Sequence, residues 1–310
     1  MWRSLHMMTF RLILCLYVVM LMSAVNTATA VHLSGWRDKA RNLYREGIAF
    51  RKSGRQEAAR QCFAAAIKAD SSYTAAYSAL GDIYFERKSY ADALGYCRKA
   101  QELGATNMSR QIGLSFYYLR QYDNALEALQ QARREEPGNM TVTYQLAQLY
   151  AQLGYYRESI NAYQELLSTD STYTAAWYEL GMMSFNTADF EGAVRSFDKA
   201  AALGCKQDAA FLFNTGVAWL RLEQTDKGIA YLRKAQQLQP DDEQILFNLA
   251  HACYNKGDFD AAIIQWENVL RLQPTNAFVM FMLGKSYMGK GDKEKGMVLC
   301  DKATAMDTTR

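Results

Sequence analysis

The sequence has very little proline and histidine for a chain of 310 residues, with only three residues of each. Histidine most often supplies the general base or metal ligand near neutral pH, and only His32 and His251 lie beyond the first thirty residues. Phosphate-binding glycine loops, nucleophile elbows, calcium loops and His/Cys metal clusters are also missing. The sequence therefore predicts a protein that is not an enzyme and that holds no metal or cofactor.

An excess of charge of either sign is missing as well. The chain has 35 basic and 32 acidic side chains, which gives a net charge of +3. Arg3 and Arg11 belong to the first thirty residues, and their removal would leave 33 basic against 32 acidic residues. Nucleic acids and anionic membrane surfaces are bound through an excess of Lys and Arg. We therefore expect no nucleic-acid partner.

Paired cysteines are the third absence. The chain has six Cys without a short paired spacing, and five of them follow the first thirty residues. An odd number without paired spacing predicts neither a disulfide framework nor a zinc site. Cys97, Cys253 and Cys300 stand at repeat positions that elsewhere carry large apolar residues, so we expect them to be small core residues.

The first thirty residues have the three-part layout of a secretory signal. Arg3 and Arg11 form a basic N-terminal part, and residues 12–25 form an apolar stretch of 14 residues after it. Ala28 and Ala30 then offer a small-residue cleavage site. A membrane-spanning helix takes about 20 residues, so a signal cleaved before Val31 is favoured over a retained anchor. The pattern predicts an exported chain without a membrane span after cleavage. It would be periplasmic, associated with the outer membrane, or secreted.

The main feature that is present is an internal repeat. Small residues recur at intervals of 32 to 35 residues, each followed by another small residue twelve places later and, in most copies, by large apolar residues after three and sixteen places. Small residues let two helix backbones approach to about 8 Å while large ones fill the adjoining space. The pattern therefore predicts stacked pairs of helices. The first series is Gly47, Gly81, Gly113, Ala147, Gly181, Gly216, Ala250 and Gly284.

Proline and glycine mark the turns of the repeat. Pro137, Pro240 and Pro274 share one repeat position, where each would end the second helix of a pair. Glycines fall at the turn between the two helices of a pair, where a left-handed residue is favoured. These glycines are Gly54, Gly154, Gly257 and Gly291.

One copy of the repeat carries its whole pattern as Trp177, Leu180, Gly181, Phe190, Ala193, Phe197 and Ala200. This pattern resembles the tetratricopeptide repeat family. The resemblance implies an all-α fold, a right-handed α-solenoid of eight helix-turn-helix repeats, behind the signal peptide at 1–30 and a short lead-in at 31–39. The solenoid would cover 40–310, with repeats at 40–73, 74–105, 106–139, 140–173, 174–208, 209–242, 243–276 and 277–310.

A longer period of 100 residues is also visible. Residues 70–77, DSSYTAAY, reappear as residues 170–177, DSTYTAAW. The turns that follow correspond too, since Leu103-Gly104 matches Leu203-Gly204. We interpret this as duplication of a three-repeat block, so that repeats two to four correspond to repeats five to seven. Convergence under a shared repeat pattern is the alternative.

The resemblance also implies that the first helices line an inner surface through repeat positions 2, 5, 6, 9, 12 and 13, counted from the first residue of each repeat. Aromatic rings and side-chain amides at these positions would suit an extended peptide, or the rings would simply pack against the next first helix. Asn214 and Asn248 share one position in adjacent repeats, and as polar groups on an apolar face they need a partner. The candidate residues are Tyr44, Tyr117, Tyr144, Tyr178, Phe213, Asn214, Phe247, Asn248, His251 and Tyr254.

Both ends of the repeat array have features of their own. Basic residues of the first repeat, Arg41, Arg45, Arg51 and Lys52, face the same surface and would either receive an acidic segment or form a solvated charged face. The last repeat is rich in methionine, which fits either self-association or an ordinary core.

Three functions fit the sequence. The leading hypothesis is a protein-binding scaffold of the bacterial cell envelope that holds an extended segment of a partner protein. The second is a structural subunit of a secretion or outer-membrane assembly complex. The third is a polysaccharide-binding factor, which depends on the aromatic side chains alone.

Overall fold

The computed structural model describes residues 35–307 of the chain, and all regular structure in this range is helical. The predicted signal peptide and His32 lie outside the described residues. Helix α1 occupies residues 35–52, so it includes residues 35–39 of the predicted lead-in. The remaining helices are α2 Gln56–Ala69, α3 Thr74–Glu86, α4 Tyr90–Glu102, α5 Ser109–Tyr118, α6 Tyr122–Glu135, α7 Met140–Gln152, α8 Tyr156–Thr169, α9 Thr174–Asn186, α10 Phe190–Ala202, α11 Ala209–Arg221, α12 Thr225–Leu238, α13 Glu243–Lys256, α14 Phe259–Leu272, α15 Ala277–Lys290 and α16 Lys293–Asp307.

The chain forms two compact units. The N-terminal unit ends at Gln145 and the C-terminal unit begins at Leu146, inside α7. Within each unit first helices pack against the second helices that follow them, as in α3–α4 and α9–α10, and second helices pack against the next first helix, as in α2–α3 and α8–α9. The predicted all-α repeat fold is confirmed. None of the helices in the described range has the length and apolar character needed to cross a bilayer.

The two helices of a pair approach closely where the repeat places its small residues. A Cβ atom added to Gly113 would lie 2.7 Å from the Cγ of Leu129, and one added to Gly47 would lie 2.5 Å from the ring of Phe63. Such distances are shorter than van der Waals contact, so the partner side chain occupies the space that a larger residue would need. Glycine is therefore required at these crossings by packing.

A left-handed residue joins the two helices in every one of the eight pairs. The φ angles at this turn lie between 58° and 109°. Glycine holds the position in four pairs, as predicted, and the other four use residues for which the left-handed region is unfavourable. The eight residues in chain order are Gly54, Lys88, Arg120, Gly154, Ala188, Glu223, Gly257 and Gly291.

The cysteines divide between core and surface. Cys97 and Cys253 are buried in the core. Cys300 is only half-buried, so the expectation that it is a core residue was wrong. Its repeat position belongs to the last helix pair, and no further pair among the described residues packs over it. All five cysteines of the described range are free thiols.

Contacts recur with the 100-residue period that the sequence indicated. The Asp70 carboxylate accepts hydrogen bonds from the backbone NH and the hydroxyl of Ser72 at 2.9 and 2.6 Å. The Asp170 carboxylate accepts the same two bonds from Thr172 at 2.9 and 2.6 Å. The repeated octapeptide therefore folds into the same turn in each unit, which supports duplication.

Candidate functional site

The candidate residues lie on the first helices of both units. We call the surface formed by repeat positions 5, 6, 9 and 12 of the first helices the first-helix face, and we describe it separately in each unit. Three of the ten predicted residues belong to the N-terminal unit, and seven belong to the C-terminal unit.

A polar network covers part of the first-helix face in the N-terminal unit. The Arg51 guanidinium donates to Asp82 at 3.4 Å and also pairs with Glu86. The Gln111 side chain, one repeat further along, donates to Asp82 at 3.2 Å. Arg51 therefore already has carboxylate partners within the protein. This pairing weakens the expectation that the basic residues of the first repeat receive an acidic segment.

Rings of the N-terminal unit pack among themselves. Tyr44 lies 5.4 Å from Phe63 and 5.5 Å from Tyr73 between ring centres, and burial raises the pKa of its hydroxyl. Tyr117 lies against Tyr118 at 5.5 Å. Tyr144, near the end of this unit, is half-buried. The alternative that these rings pack within the protein fits Tyr44 best, since its ring contacts two other rings.

Tyr178 begins the first-helix face of the C-terminal unit. Its ring lies 5.7 Å from Phe211 in a stacked arrangement and 5.9 Å from Phe197. Burial raises the pKa of its hydroxyl, and a hydrogen bond with Asn214 partly opposes this shift. The Asn214 amide also donates to the Met182 sulfur at 3.2 Å. Tyr178 and Asn214, both predicted site residues, are thus brought into contact.

The other predicted rings of this unit are half-buried. Phe247 lies 5.3 Å from Trp266 and stacks on Phe278 at 6.0 Å. Tyr254 lies edge-on to Phe259 at 5.7 Å. Phe213 packs against the core on the same side. Each ring therefore has one side on the core, and its half-exposed remainder is what a ligand could contact.

Two further predicted residues have local partners. The Asn248 amide donates to the carbonyl of Gln244 on its own helix at 2.8 Å. His251 is exposed and lies 3.2 Å from the amide nitrogen of Asn255. The Asn248 NH2 group is thus partly satisfied by its own helix, and its carbonyl oxygen is the atom offered to a ligand.

Glu179 is a residue of this face that the sequence prediction missed. It occupies the same repeat position as Asn214 and Asn248, which is the signal that could have found it. Burial raises the pKa of its carboxyl, and no Lys or Arg pairs with it among the described residues. A desolvated carboxylate without a cation is energetically unfavourable. Glu179 is therefore a partly desolvated carboxyl without a cation partner on the first-helix face of this unit.

Known sequences and structures identify the repeat. The tetratricopeptide repeat profiles match residues 44–107, 110–173, 144–204, 185–243 and 243–276. The chain belongs to the tetratricopeptide repeat family. None of the matching profiles describes an enzyme family. No curated protein matches the chain.

Several solved structures are similar to the chain. YrrB, described as a protein with an unusual peptide-binding site, has 25% identity and a TM-score of 0.53 over 59% of this chain and 93% of its own. The C-terminal part of a repeat protein from Cytophaga hutchinsonii has 18% identity and a TM-score of 0.56 over 74% and 95% of the two chains. Pseudomonas aeruginosa pilF has 18% identity and a TM-score of 0.54 over 70% and 99%. The last two show the fold alone.

The tetratricopeptide repeats of the described range offer no metal site. They contain no group of three or more His, Cys, Asp or Glu side chains placed to bind an ion. The last repeat instead exposes apolar side chains. These are Phe278, Phe281, Met297 and Val298, whose exposed fractions lie between 41% and 62%. We call these four residues the C-terminal apolar patch.

Proposed function

We propose that this tetratricopeptide repeat protein is a non-catalytic scaffold of the bacterial cell envelope, and that the first-helix face of its C-terminal unit holds an extended segment of a partner protein. The observation that carries the proposal is an aromatic residue followed by a polar one at repeat positions 5 and 6 of three successive first helices. The pairs are Tyr178-Glu179 on α9, Phe213-Asn214 on α11 and Phe247-Asn248 on α13.

This pattern has the chemistry needed to bind a peptide of loosely defined sequence. Amide and carboxylate groups repeated once per helix pair can hydrogen-bond to the backbone of an extended chain. Half-exposed rings beside them contact its side chains. YrrB, which has an unusual peptide-binding site by its description, supports a peptide as the ligand. The polar side chains at repeat position 6 would set the direction of the bound segment, and the rings at position 5 would supply most of the affinity.

Glu179 defines the chemistry of the segment further. Its carboxyl is partly desolvated and has no cation partner among the described residues. A basic group from a ligand would supply the missing charge in a site where solvent screening is reduced. We therefore propose that the bound segment carries a Lys or Arg near its contact with α9.

The cell-envelope location is part of the same proposal. It is supported by the signal-like pattern of residues 1–30, with its basic start, short apolar stretch and small-residue cleavage site. We propose a periplasmic chain or one associated with the outer membrane. Sequencing the N-terminus of the protein from cells would test this, and an intact Met1 would contradict a cleaved signal.

A second candidate function is a structural subunit of an envelope assembly. The C-terminal apolar patch favours it, because exposed large apolar side chains grouped in one repeat mark interaction sites. Phe281, at repeat position 5 of α15, belongs to both the patch and the first-helix face, whereas Met297 and Val298 on α16 belong to the patch alone. Under this alternative the patch locks the chain into a complex, and the first-helix face of α9, α11 and α13 is not required for assembly.

Crosslinking in whole cells separates the two candidates. A photoreactive residue placed at His251, which is exposed on the first-helix face, should capture a partner whose crosslinked segment can be read by mass spectrometry. The Asn214→Ala/Asn248→Ala variant should lose this product. The matched Asn161→Ala/Gln237→Ala variant, which removes two exposed amides from second helices, should keep it.

The captured segment then provides a direct measurement. A synthetic peptide with the sequence of the captured segment should bind the full chain in calorimetry and should bind the Glu179→Gln variant more weakly. Replacing the basic residue of the peptide should weaken its binding to the wild-type chain but not its binding to Glu179→Gln. Equal binding to all variants would reject the first-helix face and leave the structural-subunit function.

A further inference from the structure

The C-terminal unit contains an open cavity of about 760 Å³ between α8, α9 and α10. It is built from the second helices and from the side of α9 that carries Trp177 and Ser184, so it is distinct from the first-helix face. Gly192, Arg195 and Ser196 of α10 line it. Its volume is in the range of about 300–1,000 Å³ typical of ligand sites.

The duplicated block shows what is missing from this cavity. One hundred residues earlier, the same repeat positions carry Tyr84 and Tyr96, whose rings stack 5.1 Å apart with an angle of 7° between their planes. Tyr96 also lies 6.4 Å from Tyr77, the counterpart of Trp177. In the C-terminal unit the two tyrosines are replaced by Ser184 and Ser196. The cavity therefore occupies the place of two aromatic rings.

The third repeat provides an intermediate case. The equivalent groove between α4, α5 and α6 has a volume of about 300 Å³. There the position of Ser184 is filled by Phe116, and the Arg98 guanidinium lies 4.9 Å from the centre of that ring. A groove thus occurs at the same place in both repeats, and it is larger in the repeat that has Ser184 at the position of Phe116.

The cavity offers polar groups that lack partners. Ser184 and Ser196 line the cavity, no hydrogen bond of either hydroxyl is found among the described residues, and neither oxygen is one of the buried atoms without a partner, so both hydroxyls are open to the cavity. The opposite wall is fixed, because the Trp177 indole NH donates to the Ser171 carbonyl at 2.8 Å. A ligand would therefore meet one fixed aromatic face and two unpaired hydroxyls.

The charges around the cavity balance. Arg195 and Lys199 are matched by Asp189 and Asp198. Asp189 also accepts a hydrogen bond from the Gly192 backbone NH at 2.9 Å, which fixes it as the cap of α10. With two charges of each sign, the cavity provides no net field for an anion or a cation. Its ligand should be neutral, flat and able to make a hydrogen bond.

The geometry points to an aromatic side chain of a partner polypeptide, with tyrosine preferred, as the ligand of this cavity. The incoming ring would take the place that Tyr96 occupies in the N-terminal unit and would pack against Trp177. Its hydroxyl would hydrogen-bond with Ser184 or Ser196. The partner thus supplies the ring that the second copy of the block lacks. The inference does not depend on the first-helix face.

Nuclear magnetic resonance on the full chain tests this assignment. The indole NH signal of Trp177, assigned through a Trp177→Phe variant, is followed while N-acetyl-L-tyrosinamide is added. We expect a saturable shift of this signal. N-acetyl-L-leucinamide, which is apolar without a ring, and methyl β-D-glucoside should leave it unchanged. An equal response to the leucine amide would reject aromatic recognition, and a response to the glucoside alone would make the cavity a carbohydrate site.

A second experiment fills the cavity with side chains of the protein itself. Ser184→Tyr/Ser196→Tyr, which restores the pair found in the N-terminal unit, should weaken binding of the tyrosine amide by about tenfold or more. If that variant does not fold, Ser184→Phe reproduces the third repeat and should have the same effect. Gln237→Ala, at an exposed position of α12 outside the cavity lining, should bind as wild type does. Undiminished binding to a folded, filled variant would overturn the assignment.

Discussion

Gly181 of α9 lies directly against the ring of Phe197 on α10. A Cβ atom at Gly181 would be 2.6 Å from the nearest ring carbons. Phe197 is fully buried, so its ring cannot swing into solvent to make room. The same relationship joins Gly113 to Leu129 in the N-terminal unit. Helix pairs of this protein are therefore held at a spacing that only glycine permits at these crossings.

Substitution of Gly181 tests this spacing. Gly181→Ala should lower the free energy of unfolding by about 1–3 kcal/mol, because overpacking forces the ring and backbone to shift. The effect should appear in denaturant unfolding monitored by circular dichroism. Gly95→Ala is the matched control, since Gly95 lies within α4 and a Cβ there would meet no atom within 4 Å. It should raise stability by about 0.5–1 kcal/mol.

The helix pairs and their crossings could be predicted because small and large residues recur in one register over eight copies. Other features could not be read from residue type. Ala188 adopts φ of 61° at the turn that holds glycine in four other pairs, because the repeat imposes the same turn whichever residue is present. The propensity of a single residue is overridden by the packing of the two helices that it joins.

The left-handed Ala188 leads to a second prediction. A non-glycine residue in this region costs roughly 1–2 kcal/mol, so Ala188→Gly should raise the free energy of unfolding by about 1 kcal/mol. Gly257→Ala, at the same turn of another pair, should lower it by a similar amount. Both are measured by denaturant unfolding. Equal stability of all three proteins would mean that the turn is not strained.

The thiols should differ sharply in reactivity. Burial raises the pKa of Cys97 to about 12 and also raises the pKa of Cys253. Since the thiolate is the reactive form, both should resist a disulfide reagent at pH 8 in the folded chain. Burial also raises the pKa of Cys62 and Cys205, but these two thiols and Cys300 are only half-buried and can be reached by the reagent, so they should react faster. Mass spectrometry of labelled peptides reads out the order, and unfolding in guanidinium should make all of them react. Rapid labelling of Cys97 in the folded chain would contradict its burial.

Glu179 should make stability depend on pH. Its folded-state pKa is raised by burial, so the wild type loses stability as pH rises from below the unfolded-state pKa through the folded-state value. Glu179→Gln lacks this loss. The variant should therefore unfold at a higher temperature than wild type at pH 7, and the difference should shrink at pH 4. Glu127→Gln, at an exposed position of α6, is the control and should show no such trend.

The candidate site could be predicted only in part from the sequence. Repeat position put Tyr178 and Asn214 on one predicted face, and the structure brings the two side chains into contact. It could not show that Arg51 has its own carboxylate partners, because Asp82 and Glu86 come from the next repeat. The absence of a partner for Glu179 depends likewise on contacts between repeats, which residue type and spacing do not specify.

The C-terminal apolar patch carries the last prediction. Met297 is 53% exposed, whereas Val194, Ile229 and Ile263 at the same repeat position are buried against the first helix of the next pair. The α15–α16 pair thus presents to solvent the surface that inner repeats cover. The first repeat differs, since Glu46 is exposed at a position where the other repeats bury mostly leucine or isoleucine.

Because the face of the first repeat is polar, we expect any self-association to join two C-terminal patches about a two-fold axis, as in most closed dimers. Sedimentation equilibrium should then show a dimer that Phe281→Lys/Met297→Lys converts to a monomer. Tyr155→Lys, which places the same charge at another exposed aromatic residue, should leave the dimer intact. A monomeric wild type would exclude self-association and assign the patch to a different protein.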